Sequence, residues 1–500
     1  MNIDPNIKKR LDVCQEKIIN ANEKYIFVSA CPGSGKTYTI VKRITKELSE
    51  IKSHQGIIAC SFTNESSDEL KNRISKSVDL SQSLIGTIDS FVKNIITTYI
   101  NRFLVSKNNL TNQVTIKEIK FPTHNNINNI TKLYDKNEYY KGEGNKYCRI
   151  WLNLLKNGIY EISFPSYLLA SRIIEMPIFN EYFGERFTTI YIDEAQDLNY
   201  FQHILMSRIK EYTNINIVMV GDPLQSIYQF RGARPELFND LESKGYYKYF
   251  IDVSVRCHQS IMYYANKIYN AQLEKLEIES KVNFINAIDL NIEFLKSIEN
   301  SIFILTESNS TAISLYEKYK EDFDIIYTKK IDGMDDDYNL NRDIIEELIK
   351  YYLNYDNIKD IYKYSAENLF SILSVINKKI KKTQLYVKNR NLDIYLRDIL
   401  NILEINISDN TLLEICNKLE DEKYKYSYLV VDKVNRIMTI HSSKGLENDT
   451  VIIYLDNSYN KINAEFKNKL FVAITRARKQ VYIISQNNNL VEEYIKKLLE

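Results

Sequence analysis

A short apolar segment, a glycine-rich turn and a helical pattern follow one another between residues 25 and 48. YIFVSA (25–30) predicts a buried strand, because it is short, apolar and partly β-branched, and TIVKRITKEL (39–48) has the spacing of a helix. The turn between them, CPGSGKT (31–37), carries glycines that let backbone N–H groups face a phosphate. This context argues against a chance glycine-rich turn and predicts a phosphate-binding loop.

Two side chains of this loop have specific expected tasks. Lys36 supplies a point charge to the outer phosphates, and the Thr37 hydroxyl can ligate Mg²⁺. The candidate nucleotide-binding residues of the loop are Ala30, Cys31, Pro32, Gly33, Ser34, Gly35, Lys36 and Thr37.

Strands and helices continue to alternate along the chain, which predicts an α/β fold with parallel sheets. Three further buried strands are expected early, in GIIACSF (56–62), TTIYIDEAQD (188–197) and INIVMVGD (215–222). A second set begins later and predicts a second α/β domain. Its members are SIFILTES (301–308), RIMTIHSS (436–443), TVIIYLD (450–456) and QVYIISQ (480–486).

Two mostly helical segments interrupt the α/β pattern and divide the chain into four parts. We expect a first α/β domain in 1–92 and 186–250, a helical insertion in 93–185, a second α/β domain in 251–345 and 432–500, and a reduced helical insertion in 346–431.

Acidic residues end the predicted strand of IYIDEAQD, at the edge of the sheet where sites of this fold class lie. Asp193 is the candidate metal residue, together with Thr37, and Glu194 is the candidate base that polarises the attacking water. A DE pair alone is often a simple strand end. The phosphate loop upstream makes the catalytic interpretation the stronger one.

The stretch VMVGDPLQSIYQFRGA (218–233) leaves a buried strand and then alternates polar and aromatic residues. Gln225 is an amide that can contact a phosphate oxygen, and Tyr228 and Phe230 are rings that can stack on bases. Taken alone, the two rings would be core aromatics. Within this stretch they predict a loop that contacts a nucleotide at one end and a nucleic acid at the other.

The composition of the chain limits which partners and which cell compartment can be expected. Lys plus Arg is 66 and Asp plus Glu is 65, so any basic surface for nucleic acid has to be local. The six cysteines are scattered and do not cluster with the five histidines, which predicts neither a disulfide framework nor a zinc site and favours the cytoplasm. No run of about 18 apolar residues is present, so no membrane partner is expected.

These motifs, in this order and over nearly the full length, resemble those of superfamily 1 DNA helicases of the UvrD/Rep/PcrA type. The resemblance implies two RecA-like domains, ATP and Mg²⁺ at the phosphate loop, and single-stranded DNA as the track. LDVCQ, DVSVRCHQSI, GLENDTVII and FVAITRAR resemble motifs that contact the nucleotide. By this resemblance Gln15 reads adenine, Glu447 contacts the nucleotide, and Arg256 and Arg476 reach the γ-phosphate with Gln225.

The resemblance also implies a set of DNA contacts. They come from CSFTNESSDEL, GTIDSF, the aromatic stretch above and TIHSSKG. The implied DNA-binding residues are Phe62, Asn64, Thr87, Tyr228, Phe230 and His441.

Four positions depart from the family pattern. Asp89 stands where histidine is usual, and Phe230 where tryptophan is common. Val255 stands where an aromatic residue often stacks on adenine, and Tyr38 replaces a common arginine. Tyr38 is therefore the candidate for the adenine-stacking face.

The two domains suggest a mechanism. A cleft between them would place the arginines opposite the γ-phosphate, where they would stabilise transition-state charge and pull the cleft shut. Hydrolysis would release that attraction, and aromatic residues on both domains would grip and release bases in turn.

The short insertions and compact length resemble small UvrD-like helicases of bacterial antiphage systems, including the Gabija type, which work beside a separate nuclease-bearing protein. The expected function is an ATP-driven 3′→5′ single-stranded-DNA translocase or helicase with a nuclease partner in antiviral defence. The alternatives are a DNA repair helicase and a nucleotide-dependent DNA-sensing scaffold without autonomous unwinding.

Overall fold

A computed structural model describes most of the chain as two compact units, Met1–Val255 and Arg256–Glu500. The described residues are 5–62, 64–99, 166–270, 272–273, 277–327, 391–402, 407–425, 434–456, 461–486 and 489–500, with isolated positions at 102, 118–119, 161–162, 334, 338, 345–346, 348–349, 352–353, 405 and 428. Much of the helical insertion expected in 93–185 lies outside them.

The first unit is built on a six-stranded sheet in which every pairing is parallel. The strand order is β3-β2-β6-β7-β1-β8, and a separate two-residue pair is formed by β4 and β5. The strands are β1 (Tyr25–Ala30), β2 (Gly56–Ser61), β3 (Leu84–Thr87), β4 (Glu118–Ile119), β5 (Glu161–Ile162), β6 (Phe187–Ile192), β7 (Asn216–Gly221) and β8 (Tyr247–Ile251).

Helices cover both faces of this sheet. They are α1 (Pro5–Ile19), α2 (Lys36–Glu50), α3 (Asn64–Ser75), α4 (Ile88–Tyr99), α5 (Ser166–Ile174), α6 (Pro177–Arg186), α7 (Tyr200–Tyr212) and α8 (Pro235–Asn239). Side chains of a strand alternate between faces, so Phe27 enters one apolar cluster, and Ile26 and Val28 enter the other. The sheet is thus buried on both sides, as the near-continuous apolar strand sequences require.

The end of the predicted first insertion contributes to the core of the first unit. Phe179 and Phe183 of α6 are buried and stack on each other, with ring centroids 5.7 Å apart. Helix α5 contacts both α4 and α7. The segment before α5 lies mostly outside the described residues, so the domain boundaries proposed above stay predictions.

A partly buried carboxylate fastens α2 to strand β6. One oxygen of Glu47 accepts hydrogen bonds from the hydroxyls of Thr188 and Thr189, both at 2.6 Å, and its other oxygen accepts one from Tyr191. The helix that follows the phosphate loop is therefore tied to the strand that leads to Asp193.

The second unit contains another six-stranded parallel sheet, of order β11-β12-β10-β13-β14-β9. Its strands are β9 (Val282–Asn286), β10 (Ile302–Thr306), β11 (Ile325–Tyr327), β12 (Asn435–Thr439), β13 (Asn448–Leu455) and β14 (Ala477–Ser485). The expected α/β class with two parallel-sheet domains is confirmed.

The helices of the second unit fall into two groups. Those associated with the sheet are α9 (Gln259–Lys267), α10 (Ile292–Ser297), α11 (Asn309–Tyr319), α15 (Ala464–Ile474) and α16 (Asn489–Leu499); those of the expected helical segment are α12 (Leu392–Ile402), α13 (Asp409–Glu420) and α14 (Glu422–Lys425). The second group has its own apolar cluster, which includes Tyr395, Leu396 and Ile415. Within the described parts of the chain, no helix has the length and apolar character to cross a membrane.

We expect the first unit to lose stability as the pH falls below about 6.5, because His203 of α7 remains neutral when folded. Burial, with the charge of Lys244 adding to it, lowers the pKa of His203 to about 3, whereas an unfolded histidine titrates at about 6.5. The unfolded chain binds more protons between these values, so this contribution is complete above pH 6.5 and is lost toward pH 3.

The expected loss is about 1.4 kcal/mol of unfolding free energy per pH unit. Urea denaturation between pH 7 and pH 5 should show a shallower loss for His203→Gln than for the wild type. Equal pH slopes for the two proteins would contradict this assignment.

Candidate functional site

The phosphate loop lies at the carboxyl end of strand β1, between β7 and β8 in the sheet, and leads into α2. Gly33 and Gly35 have φ values of 70° and 74°, in the left-handed region that side-chain-bearing residues rarely adopt. A Cβ added to Gly35 would lie 2.8 Å from Nε2 of Gln15. Glycine is therefore required at residue 35 by backbone conformation and by close approach.

Gln15 of α1 packs directly against this loop. Its side chain is buried, and its Nε2 donates a hydrogen bond to the backbone oxygen of Ser34 at 3.0 Å. The Ser34 hydroxyl is also buried and has no hydrogen-bond partner among the described residues. Tyr38 projects outward from the start of α2 and is 50% exposed. The adenine-reading role of Gln15 and the stacking role of Tyr38 stay predictions.

Two acids from the end of β6 face the loop. The Thr37 hydroxyl donates to Oδ2 of Asp193 at 3.3 Å, and Nζ of Lys36 lies 3.5 Å from Oε1 of Glu194. Thr37 and Asp193 offer only oxygen donors, which is the donor set that Mg²⁺ prefers. The residues present therefore fit a magnesium-bound triphosphate.

The electrostatics of this site favour a bound cation. Burial, and then the charge of Glu194, raise the pKa of Asp193, while the ammonium of Lys36 partly opposes them. Burial also raises the pKa of Asp222, which follows the neighbouring strand β7. Three carboxyl groups thus lie near one lysine within the described part of this site, and a divalent cation would supply further positive charge.

The backbone at Glu194 is strained. Its φ is 54°, and it is the one described residue other than glycine with a positive φ. Such a conformation costs of the order of 1–3 kcal/mol and persists where the surrounding contacts hold it. Here the Glu194 backbone amide donates to Oδ1 of Asp193 at 2.9 Å. This bond holds the Asp193 carboxylate against the backbone of Glu194.

Gln196 and Asp222 belong to the site although sequence reasoning did not single them out. The Gln196 side chain is fully buried; its Nε2 donates to Glu194 at 2.6 Å and its Oε1 accepts from the Asp222 amide at 3.0 Å. A Cβ on Gly221 would lie 2.4 Å from that Oε1. The signal available in the sequence was a glutamine placed two residues after the candidate base.

Asp222 in turn holds the candidate γ-phosphate amide. Gln225 is buried, and its Nε2 donates to Oδ2 of Asp222 at 2.7 Å. An unbroken series of hydrogen bonds therefore joins Glu194 to Gln225 through Gln196 and Asp222. The predicted catalytic residues of the first unit are brought together.

The candidate DNA-binding aromatics form one cluster at the same edge of the sheet. Phe62 and Tyr228 stack with centroids 5.0 Å apart and planes 24° from parallel. Tyr228 is only 9% exposed, whereas Phe230 is 52% exposed. The Arg231 guanidinium lies 5.4 Å from the Tyr228 ring and 5.6 Å from the Phe230 ring. Phe230 thus offers the larger open face for a base, and the mostly buried Tyr228 ring packs beside it.

The other two candidate DNA contacts of this unit are less fully described. Thr87 ends β3, and its hydroxyl accepts a hydrogen bond from the Ser90 amide at 3.2 Å. Asn64 begins α3, but its side chain lies outside the described part of the chain.

In the second unit Glu447 lies between two arginines. One oxygen of Glu447 forms an ion pair with Arg256, and the other accepts from Nε and Nη2 of Arg478 at 3.1 and 2.9 Å. Burial alone would raise the pKa of Glu447, but the two guanidinium groups outweigh it and lower that pKa. Arg478 was missed from sequence, although it is the second arginine of TRAR.

Arg476 is buried within the second unit. Its Nε donates to the Val472 carbonyl at 3.1 Å and its Nη1 to the Leu446 carbonyl at 3.2 Å. It therefore fastens helix α15 to the turn that carries Glu447. His441 lies in the turn after β12 and is partly buried. The meeting of Arg256 and Arg476 with a nucleotide held in the first unit stays a prediction.

Comparison with family models gives two matches. A model described as the UvrD/REP helicase N-terminal domain matches residues 11–158 and 111–245. A model described as the UvrD-like helicase C-terminal domain matches residues 436–484.

Several curated proteins are similar to this chain. Gabija protein GajB of Bacillus cereus (strain VD045) is 30% identical over 503 residues, which cover 95% of each chain. A probable DNA helicase II homolog of Mycoplasma genitalium is 24% identical, covering 96% of this chain and 85% of the relative. ATP-dependent DNA helicase PcrA of Bacillus subtilis (strain 168) is 26% identical over 254 residues, covering 45% of this chain and 34% of the relative.

Proposed function

Because this chain belongs to the UvrD/Rep family of DNA helicases, and is thus an ATP-dependent DNA helicase, we propose that it moves 3′ to 5′ along single-stranded DNA and acts with a nuclease partner in antiviral defence. The observation that carries the narrower part is similarity to GajB along nearly the whole of both chains. The polarity rests on the resemblance to the UvrD, Rep and PcrA helicases. We also assign its place of action to the cytoplasm.

The site geometry supports turnover rather than nucleotide binding alone. A pure binding module needs a phosphate loop, but it does not need a carboxylate held ready beside it. Glu194 is held in a strained conformation by Gln196 and lies beside Lys36. This arrangement suits a base that accepts a proton from the attacking water.

Each residue of the site has a proposed task. The backbone N–H groups of the loop and Lys36 bind and orient the phosphates, and Thr37 with Asp193 would hold Mg²⁺. When bound, the ion supplies charge that offsets the phosphates. Gln225 contacts the γ-phosphate side, while Arg256 and Arg476 neutralise charge that develops during hydrolysis.

The proposed DNA path begins at the aromatic cluster. Phe62, Tyr228 and Phe230 contact the bases by stacking, which tolerates any sequence. Asn64 and Thr87 contact the strand in the same unit, and His441 contacts it in the second.

ATP hydrolysis and strand displacement test this proposal together. We expect single-stranded DNA to accelerate hydrolysis, and we expect displacement of a duplex carrying a 3′ tail but not of one carrying a 5′ tail. If the short helical insertions prevent autonomous unwinding, the same 3′→5′ preference should appear as displacement of a protein block from the end of a single strand.

Hydrolysis that ignores DNA would exclude the motor and leave the DNA-sensing scaffold. Co-purification of a nuclease with this protein, from cells that carry the gene in its native genomic neighbourhood, separates the defence function from a repair function. Full motor activity without such a partner would favour repair.

A further inference from the structure

A hydrogen-bond series whose middle residues are buried runs through the first unit from the GTIDSF turn to the candidate catalytic segment. The Tyr167 hydroxyl donates to Oδ1 of Asp89, and Nε2 of Gln202 donates to the Tyr167 oxygen at 2.9 Å. Tyr167 and Gln202 are 6% and 4% exposed. The Tyr167 hydroxyl therefore acts as donor on one side and acceptor on the other, so it links two helices, α5 and α7, to the start of α4.

One end of the series lies in a candidate DNA contact. Asp89 is in the first turn of α4, two residues after Thr87. The turn is closed by Ser90, whose hydroxyl donates to the Thr87 carbonyl at 2.6 Å. A DNA strand that contacts Thr87 and displaces it would therefore also displace Asp89, which lies in the same turn.

The other end lies beside the catalytic segment and the aromatic loop. Gln202 and Asn199 form a reciprocal pair: the Gln202 amide donates to Asn199 at 3.0 Å, and the Asn199 amide donates to Gln202 at 2.8 Å. Asn199 forms an antiparallel bridge with Ala233, which ends the aromatic loop. The next residue, Arg234, donates its amide to the Leu198 carbonyl at 2.9 Å.

The segment that carries Asn199 continues directly from the base. The Asp197 amide donates to the Glu194 carbonyl at 3.0 Å, and the Leu198 amide donates to the Ala195 carbonyl at 3.3 Å. Hydrogen bonds therefore lead from Asp89 to Asn199, and the peptide bond between Asn199 and Leu198 continues the connection to the turn that holds Glu194.

We propose that Asp89, Tyr167 and Gln202 are positioning residues that couple DNA at the GTIDSF turn to the setting of Glu194 and of the aromatic loop. This inference rests on the proposed function, in which that turn contacts DNA. It gives a reason for aspartate at residue 89, because its carboxylate accepts the Tyr167 hydroxyl. A buried side-chain network of this kind is sensitive to the loss of one member, because a polar group is left without its partner.

The test compares five variants of the full chain in ATPase assays over a range of oligothymidylate concentrations. Tyr167→Phe and Asp89→Ala break the series, whereas Asp89→Asn keeps an acceptor oxygen for Tyr167. Tyr25→Phe is the matched control, because it removes another tyrosine hydroxyl bond in the same unit, to the Lys210 carbonyl at 3.2 Å.

We expect Tyr167→Phe and Asp89→Ala to lower the rate at saturating DNA about two- to tenfold, the scale of one or two hydrogen bonds. The DNA-free rate and the DNA concentration at half-saturation should stay as in the wild type. Asp89→Asn and Tyr25→Phe should keep full stimulation. Phe230→Ala, by contrast, should raise the half-saturating DNA concentration, because it removes a direct stacking contact.

Full stimulation in Tyr167→Phe and Asp89→Ala would overturn the coupling role, and so would an equal loss of the DNA-free and DNA-stimulated rates. Asp89→Ala removes only the acceptor carboxylate and keeps the buried Tyr167 in place, so this variant provides the answer if Tyr167→Phe does not fold. A wild-type protein that DNA does not stimulate would overturn the proposed function and, with it, this inference. If DNA does stimulate the wild-type protein, the proposed function is retained and the variants test the coupling role alone.

Discussion

Replacing Glu194 by glutamine is expected to lower kcat for ATP hydrolysis about 10²- to 10⁴-fold while ATP remains bound. Glutamine has nearly the same shape and can still accept the Gln196 hydrogen bond, but it cannot take a proton from water. The change also removes the negative charge that helps to raise the pKa of Asp193. Binding of Mg²⁺ and ATP should therefore be unchanged or tighter.

Single-turnover hydrolysis and equilibrium binding of a fluorescent ATP analogue measure these two quantities separately. Glu181→Gln is the matched control, because Glu181 is an exposed glutamate of the same unit. A Glu194→Gln protein that hydrolyses ATP at the wild-type rate would show that another group is the base. Equal losses of binding and hydrolysis would show that Glu194 has a structural role instead.

Replacing Arg256 by alanine is expected to lower kcat about 10³-fold, the lower part of the range for a γ-phosphate arginine. The planar guanidinium can contact two oxygens at once, so Arg256→Lys should restore only a small part of the rate. The nucleotide affinity should change much less than kcat, because most binding contacts come from the phosphate loop.

Arg397→Ala is the matched control in the second unit. Arg397 pairs with Asp409 at 2.6 Å, and both side chains are substantially exposed, so the loss of this ion pair should cost at most about 1 kcal/mol of stability and none of the activity. Steady-state kcat and KM are measured for Arg256→Ala, Arg256→Lys and Arg397→Ala. An Arg256→Ala protein that raised KM and kept kcat would contradict a transition-state role.

The fold class was predictable from sequence because its central strands are apolar, β-branched and followed by turn residues. Strands β3, β8, β9 and β11 were not predicted. All four are edge strands of the two six-stranded sheets. Strand β8 shows why such strands escape detection: its sequence, YKYFI, mixes charge with aromatic residues, and Tyr247 and Phe250 are exposed. Edge pairing depends on the neighbouring strand, which the local sequence does not reveal.

The site was predictable where motif residues contact each other directly. The pairs Thr37 with Asp193 and Lys36 with Glu194 lie close in the structure, as their expected roles require. Gln196 could not be assigned a partner from sequence, because its position opposite Asp222 depends on the register between β6 and β7, in which Ile192 lies beside Met219. The burial of Tyr228 against Phe62 likewise depends on tertiary packing, so the local sequence could not predict it.

Glu47 determines where movement can occur in the first unit. Its carboxylate holds three hydroxyl groups of β6, so α2 and β6 cannot slide past each other without breaking all three bonds. The phosphate loop leads into α2 and Asp193 follows β6, so these three hydrogen bonds also limit the movement of the loop relative to Asp193. We therefore expect movement during ATP hydrolysis to be larger in the attached segments, such as the loop from Leu224 to Arg234, than between α2 and β6.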